Sequence, residues 1–210
     1  MDVFDISMPI YENMTVYKNK SEKRPSFQVT SDFISQHLHE TRICMDAHCG
    51  THIDAPLHML PDGQTSEALA PAQLMRLCRV LDLTQVSAGI HADDLIPHKI
   101  HADEFLLFKT RNSWDEEFNP DFIYLTEDGA HYLAEIGIAG VGTDALGIER
   151  SQPDHPTHKV LFQHNVFIIE GLRLRAVPSG IYHMTALPLA LRGSDAAPAR
   201  VVLTRVTHAS

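Results

Sequence analysis

Between Asp46 and His58 the chain reads Asp-Ala-His-Cys-Gly-Thr-His-Ile-Asp-Ala-Pro-Leu-His, which places three histidines and two aspartates within thirteen residues. Imidazole nitrogens and carboxylate oxygens together are the ligand set that suits Zn, Mn or Fe. In an extended segment His48, Gly50, His52 and Asp54 share one face, and Cys49, Thr51 and Ile53 share the other. His52 and Asp54 are then about 6.6 Å apart along the strand, close enough for one ion. His48 and His52 are roughly 13 Å apart on a straight strand, so a shared ion requires a bend. Gly50 is the residue that permits one. A helix would pair His48 with His52 at i and i+4, as in H-E-x-x-H metalloproteases. Gly50, Thr51, Ile53 and Pro56 oppose that helix, and the central Glu is missing. The spacing predicts strand, bend and loop. The plainer alternative is surface histidines in a chain that holds 14 of them in 210 residues.

A second group is Asp154-His155-Pro156-Thr157-His158, followed by Glu170 twelve residues after His158. Pro156 suits the first turn of a helix running to about His164. Val166-Phe-Ile-Ile-Glu-Gly-Leu172 reads as an apolar strand with one carboxylate in it. Such a glutamate is expensive to bury unless it meets a cation or a metal. The competing reading is an exposed strand end or an ion pair with Arg173 or Arg175. His37-Leu38-His39-Glu40 is a His-x-His of the kind found in cupin metal sites, and it keeps open a non-hydrolytic cupin-like metal-binding protein or dioxygenase. The helix-like segments downstream fit a double-sheet barrel poorly, so His37 and His39 are read as solvated or peripheral.

The stretch from His48 to His58 resembles the H-x-G-T/A-H-x-D-x-P-x-H signature of the cyclase family of metal-dependent hydrolases, to which bacterial kynurenine formamidase and isatin hydrolase belong. The resemblance extends from Asp5-Ile6-Ser7-Met8-Pro9-Ile10 to Ala186-Leu187-Pro188-Leu189. It implies a swivelling β/β/α fold with a mixed sheet and two divalent ions, Zn (or Mn). His48, His52 and Asp54 would hold one ion, and Asp54 as a bridge with His158 and Glu170 the other. It further implies metal-activated water attacking an amide or cyclic amide, with His58 as general acid/base. N-formylkynurenine is the first substrate candidate, which would place the chain in tryptophan catabolism; an isatin-like cyclic amide is the alternative. Kynurenine formamidases of the family carry Trp-Pro-Gly-Asp after the first strand. Here Tyr17-Lys18-Asn19-Lys20 stands in its place, so Tyr17, Lys18 and Lys20 are the expected substrate-binding residues. The family also implies a homodimer or homotetramer.

The chain that must position these groups is α/β in pattern, with a single domain over residues 1–210 expected from its length. A formal charge of −10 argues against a nucleic-acid partner, and no apolar run approaches a membrane span. Cys44, Cys49 and Cys78 form no disulfide framework, and Met1-Asp2-Val3-Phe4-Asp5 carries no secretory pattern; a cytoplasmic setting is expected. Val3 to Ile6 reads as a strand, and Tyr11 to Arg24 as a surface loop. Ser26 to Phe33 alternates as a half-buried strand would, and Thr41 to His48 reads as a strand leading into the motif. Further strands are expected at Arg79–Leu83, Phe105–Lys109, Ile138–Asp144 and Leu187–Leu189. Short helices are expected at Pro71–Leu77 and His91–His98. Thr126 is placed to cap a helix that ends at Gly137.

Overall fold

The structure, a computed structural model, describes residues 2–150 and 152–206. In chain order come β1 (Val3–Asp5), β2 (Ser26–Ser31), β3 (Glu40–Cys44), β4 (His52–Asp54), α1 (Pro71–Leu74) and β5 (Met75–Asp82). They are followed by β6 (Gly89–Ile90), α2 (Ala92–Leu95), β7 (Phe105–Lys109), β8 (Tyr124–Leu125) and α3 (Glu127–Ile136). The chain finishes with β9 (Gly140–Thr143), α4 (Pro156–Gln163), β10 (Phe167–Glu170), β11 (Gly180–Pro188) and β12 (Ala196–Arg205). No helix among the described residues is long and apolar enough to cross a membrane.

Eight strands form one sheet in the order β1-β12-β11-β5-β7-β9-β10-β4, and β4 pairs again with β12. All but β1 thereby close into a mixed barrel. One edge of β12 serves two partners: residues 202–204 take β1, and residues 196–198 take β4. Strands β5, β7, β9 and β10 run parallel, and the remaining pairs of this sheet are antiparallel. Parallel neighbours need crossovers, and these carry α2, α3 and α4 on the outside of the barrel. The pleat sorts each buried strand between two cores. Phe105 and Leu107 join Ile53, Val80, Ile169, Met184 and Leu203 in one. Leu106 and Phe108 join Val141, Ile168, Leu133 and Leu161 in the other, where the helices pack.

Several local expectations hold. The Thr126 side chain accepts a hydrogen bond from the Gly129 N–H, and Gly137 ends α3 in the left-handed region at φ 79°. Pro156 occupies the first turn of α4. Others are corrected. Ser26 to Phe33 is not half-buried: β2 stops at Ser31 and pairs only with β3, in a hairpin arm whose second strand is exposed throughout. The strand expected over Thr41–His48 ends at Cys44, because Asp46 begins a turn there. The strand expected at Leu187–Leu189 is the end of β11, half of a long final hairpin with β12. The cupin-like alternative fails, since His37 and His39 lie on the exposed arm and the barrel contains four consecutive parallel strands.

Asp144, at the end of β9, ties the neighbouring strand end to its own. Its buried carboxylate accepts hydrogen bonds from the Thr110 N–H (2.7 Å) and hydroxyl (2.7 Å), the Ser113 hydroxyl (2.6 Å) and the Asn112 amide (3.3 Å). Burial pushes this carboxyl up to about 6, against the lowering by those bonds. The folded group keeps its proton to about pH 6 and the unfolded one loses it near 3.8, so the native state binds the extra proton between them. Stability should therefore fall as pH rises through that window, by roughly 3 kcal/mol in all. A carboxyl-carbon NMR titration of Asp144 checks this, with a midpoint near 6 expected. A midpoint at the ordinary aspartate value of about 3.9 or lower would show the hydrogen bonds winning.

Candidate metal centre

The motif is positioned by a turn and then by the barrel wall. The Asp46 carboxylate accepts from the His48 N–H (2.9 Å), and the Asp46 carbonyl from the Cys49 N–H (3.0 Å). Gly50 sits at φ +70°, and a Cβ there would lie 3.1 Å from the Ile10 side chain. His48 thus reaches the site through a tight turn, the bend at Gly50 that the spacing required. Only His52–Asp54 is strand, held on one side by β10 and on the other by β12. Glu170 pairs in register with His52. Ile53 enters the barrel core, so His52 and Asp54 point away from it. Thr51 locks the layer: its hydroxyl donates to the Gly171 carbonyl (2.7 Å) and accepts from the Met8 N–H (2.7 Å). Gly171, at φ +71°, lies so close that a Cβ would come within 2.6 Å of the Gly50 carbonyl oxygen.

The five expected ligands converge. His48 Nδ1 is 3.0 Å and His52 Nε2 3.3 Å from Asp54 Oδ1, while His158 Nε2 is 3.7 Å from Asp54 Oδ2. Glu170 places Oε2 3.4 Å from His52 Nε2 and Oε1 3.4 Å from His158 Nε2. Ligand atoms around a cation with bonds of about 2.1 Å stand about 3.0–3.4 Å apart, so these separations are those of a coordination shell. Both Asp54 oxygens, His52 Nε2 and His158 Nε2 are buried without a hydrogen-bond partner of good geometry. Buried orphans on this scale need an explanation, and a divalent cation in their midst provides one. His52 Nδ1 is satisfied at 3.0 Å by the Gly50 carbonyl, which fixes the tautomer that turns Nε2 toward Asp54 and Glu170.

The charges agree. Burial pushes His52 down, yet Asp54 and Glu170 outweigh it and raise this imidazole to about 10. His48 and His158 are also raised against burial by the carboxylates beside them. Burial lifts Asp54 and Glu170, but the imidazoles hold both below the usual carboxylate range. The cradle calls for positive charge, which protons or metal ions can supply.

Two acidic residues were not singled out from the sequence. Glu149 is buried, accepts from the His158 N–H (3.0 Å), and stands 3.2 Å from His158 Nδ1 and 2.7 Å from His155 Nδ1. It orients His158 with Nε2 inward. Asp195 Oδ2 lies 3.0 Å from His48 Nε2 and 3.4 Å from His58 Nδ1. His155 is bound to Glu149 and lines the same pocket at its edge, beside His158. His164 points its Nδ1 at the Val160 carbonyl, and His183 is exposed on β11. Glu170 forms no ion pair with Arg173 or Arg175; its Oε1 accepts from the Ile148 N–H at 2.6 Å.

His58, in a 3-10 turn at Pro56–His58, stacks obliquely 4.2 Å from the His48 ring. Burial lowers its basicity. It faces a pocket of about 250 Å³ also lined by Tyr17, Lys18, Lys20, Lys23, His158 and Glu170. Tyr17 is half-buried and braced edge-on by Phe118 and Phe122. Burial and the nearby Glu170 and Glu149 raise its hydroxyl, which stays a neutral donor. Lys23 is held by Asp46 at 3.3 Å.

His52→Ala and Asp54→Ala should each abolish tight metal retention, because each removes a ligand set in the barrel wall. Glu149→Ala should weaken affinity by about 10–100-fold, the usual worth of a carboxylate that orients a ligating imidazole. Elemental analysis and competitive chelation read both effects; full metal retained by the His52 and Asp54 variants would overturn the ligand assignment.

A sequence model of the Cyclase family matches residues 4–150. Over 206 residues the chain is 31% identical to the kynurenine formamidase of Salinibacter ruber, with 97% of each protein covered. The solved structure of a predicted metal-dependent hydrolase from Bacillus stearothermophilus is 51% identical, with a TM-score of 0.89 over 96% of this chain and 97% of that one. Isatin hydrolase A from Ralstonia solanacearum shares the fold at 20% identity, with a TM-score of 0.82 over 96% of this chain and 91% of its own. The match takes in the whole 46–58 stretch, and with the relative that runs nearly end to end it shows that the chain belongs to the Cyclase family.

Proposed function

We propose that the chain hydrolyses an amide or cyclic amide with the help of two divalent ions, Zn (or Mn), and that N-formylkynurenine is the first substrate to test. The observation that carries this reading is the cluster of orphaned ligand atoms at coordination distances, open to a pocket of substrate size. The two oxygens of Asp54 support a bridge: Oδ1 faces His48 and His52, and Oδ2 faces His158. Glu170 offers its Oε1 on the His158 side. When bound, the ions supply Lewis acidity for the carbonyl and lower the pKa of water toward about 7. The water oxygen bonds to the carbonyl carbon, the C–N bond breaks, and the nitrogen leaves with a proton. His58 faces the pocket and is the residue to pass that proton, with Asp195 holding its Nδ1 side. The relatives named kynurenine formamidase support the amide, and three free thiols, one of them exposed, support a cytoplasmic setting.

The test is turnover of the metal-loaded protein with N-formylkynurenine, neutral formanilides and isatin-like lactams. Release of an acid without dioxygen consumption is expected; no turnover of any amide at full metal content would overturn the reading. His58→Ala should keep its metal near the wild-type level and lose about 10²–10⁴-fold in turnover, the usual contribution of general acid–base catalysis. Parallel loss of metal would make His58 a ligand instead.

Tyr17, Lys18 and Lys20 are the proposed substrate-side residues. Tyr17 supplies a braced ring wall, and the two exposed lysines add positive charge at the mouth of an otherwise acidic chain. Their field favours an anionic substrate group, and salt should weaken that preference. A carboxylate-bearing amide should therefore show a higher kcat/KM than a neutral one of equal size. Lys18→Ala combined with Lys20→Ala should shrink the gap; a preference untouched by the pair would remove both lysines from recognition.

A further inference from the structure

Tyr17 is held in a strained turn. It begins the 3-10 segment Tyr17–Asn19, in which Lys18 (φ 56°) and Asn19 (φ 51°) both take the left-handed conformation. Such backbone costs about 1–3 kcal/mol per residue and persists only where the surroundings fix it. Here the Asn19 N–H donates to the carbonyl of buried Val16 at 2.9 Å, and Phe118 and Phe122 meet the Tyr17 ring edge-on. The Cε2 edge of the ring, next to the hydroxyl, reaches Gly147, where a Cβ would touch it at 3.4 Å. Gly147 is followed by Ile148, whose N–H donates to Glu170 Oε1 at 2.6 Å, and by Glu149, which holds His158. The hydroxyl end of the ring therefore lies beside the loop that supports Glu170 and His158, within reach of their charges.

That hydroxyl has no hydrogen-bond partner among the described residues. A tyrosine hydroxyl taken out of water is ordinarily paired. Tyr182, the other tyrosine whose phenol is pushed up by burial, obeys the rule by donating to the Pro178 carbonyl at 2.9 Å. At Tyr17 the donor is left for whatever fills the pocket shared with His58, His158 and Glu170. Burial and the two glutamates keep the phenol protonated at neutral pH, so it can donate. Amide hydrolysis makes two demands of such groups. Negative charge gathers on the carbonyl oxygen as water adds, and the departing nitrogen needs a proton. His58 meets the second demand; among the side chains, none assigned so far meets the first. A neutral donor fixed in place before the reaction is the kind of group that does so.

We propose that Tyr17 is a catalytic residue, its hydroxyl donating a hydrogen bond to the carbonyl oxygen of the amide as charge develops there. This rests on the amide hydrolysis proposed above. The water oxygen bonds to the carbonyl carbon, the π pair moves onto the carbonyl oxygen, and Tyr17 keeps its own proton throughout. When the C–N bond breaks, that pair re-forms the C=O bond, and the proton given up by the water leaves on the nitrogen by way of His58. Tyr17→Phe removes one unpartnered oxygen and keeps the ring between Phe118 and Phe122. The assay uses metal-loaded protein and whichever amide of the panel the wild type turns over fastest. In the variant kcat and kcat/KM should fall together by about 10²–10³-fold, the usual worth of one such donor, with KM, metal content and melting temperature little changed. An N-aryl phosphonamidate, a stable tetrahedral anion, should lose affinity for the variant by the same factor, and the arylamine product should not. A wild-type kcat in the variant, a change confined to KM, or a parallel loss of metal would each overturn the assignment. Should the wild type turn over no amide, the hydrolytic reading fails, and the phosphonamidate then decides the hydroxyl alone: equal affinity for variant and wild type would overturn it.

Discussion

Everything in this structure answers to the placing of two carboxylates, Asp54 and Glu170, against three imidazoles where water is scarce. A buried charge left without compensation costs several kcal/mol. Misplaced by an ångström, such a cluster would destabilise the protein without gaining an ion. The barrel meets that constraint by making β4 an interior strand although it has only three residues. Partners on both sides fix His52 and Asp54, and register with β10 sets Glu170 opposite His52. The close approach of Gly50 and Gly171, clasped by Thr51, draws the turn that carries His48 onto the same layer. Helix α4 then brings His158 from outside, steadied by Glu149.

Much of this was legible because the ligand-rich stretch is local. His48, His52, Asp54 and His58 lie within one short segment, and Gly50 marks where it must turn. The helix from Glu127 to Ile136 was legible for the same reason, since Thr126 and Gly137 act on neighbouring backbone. Apolar runs such as Phe105–Lys109 read as buried strands because the parallel part of the sheet is covered on both faces. The turn at Asp46 was less visible: the alternation of residue types suited a continuous strand, and the hydrogen bonds that Asp46 accepts at its carboxylate and its carbonyl end it.

Glu149 and Asp195 went unseen for other reasons. Asp195 lies 147 residues from His48 and is brought in by barrel closure, which no local pattern encodes. Glu149 lies only nine residues before His158, but in an irregular loop whose path carries no period to read. The final hairpin was legible only at its tip: the strand expected at Leu187–Leu189 is the end of β11, while Pro188 and Pro198 sit where β11 ends and where β12 meets the short β4. The arm shows the converse error. Phe27, Val29 and Phe33 do alternate, but alternation reports that one face differs from the other, not that either face is buried.

Lys23 stands just before β2 and Asp46 just after β3, so their ion pair spans the two feet of the arm, and the same Asp46 carboxylate holds the His48 backbone. The arm and the His48 backbone thus share one anchor, the Asp46 carboxylate. His52, Asp54 and Glu170 are instead stitched into the barrel wall. The centre is in effect a vice: His52, Asp54 and Glu170 are teeth on the barrel wall, His158 is a tooth mounted on α4, and His48 is the one whose mounting continues into the arm.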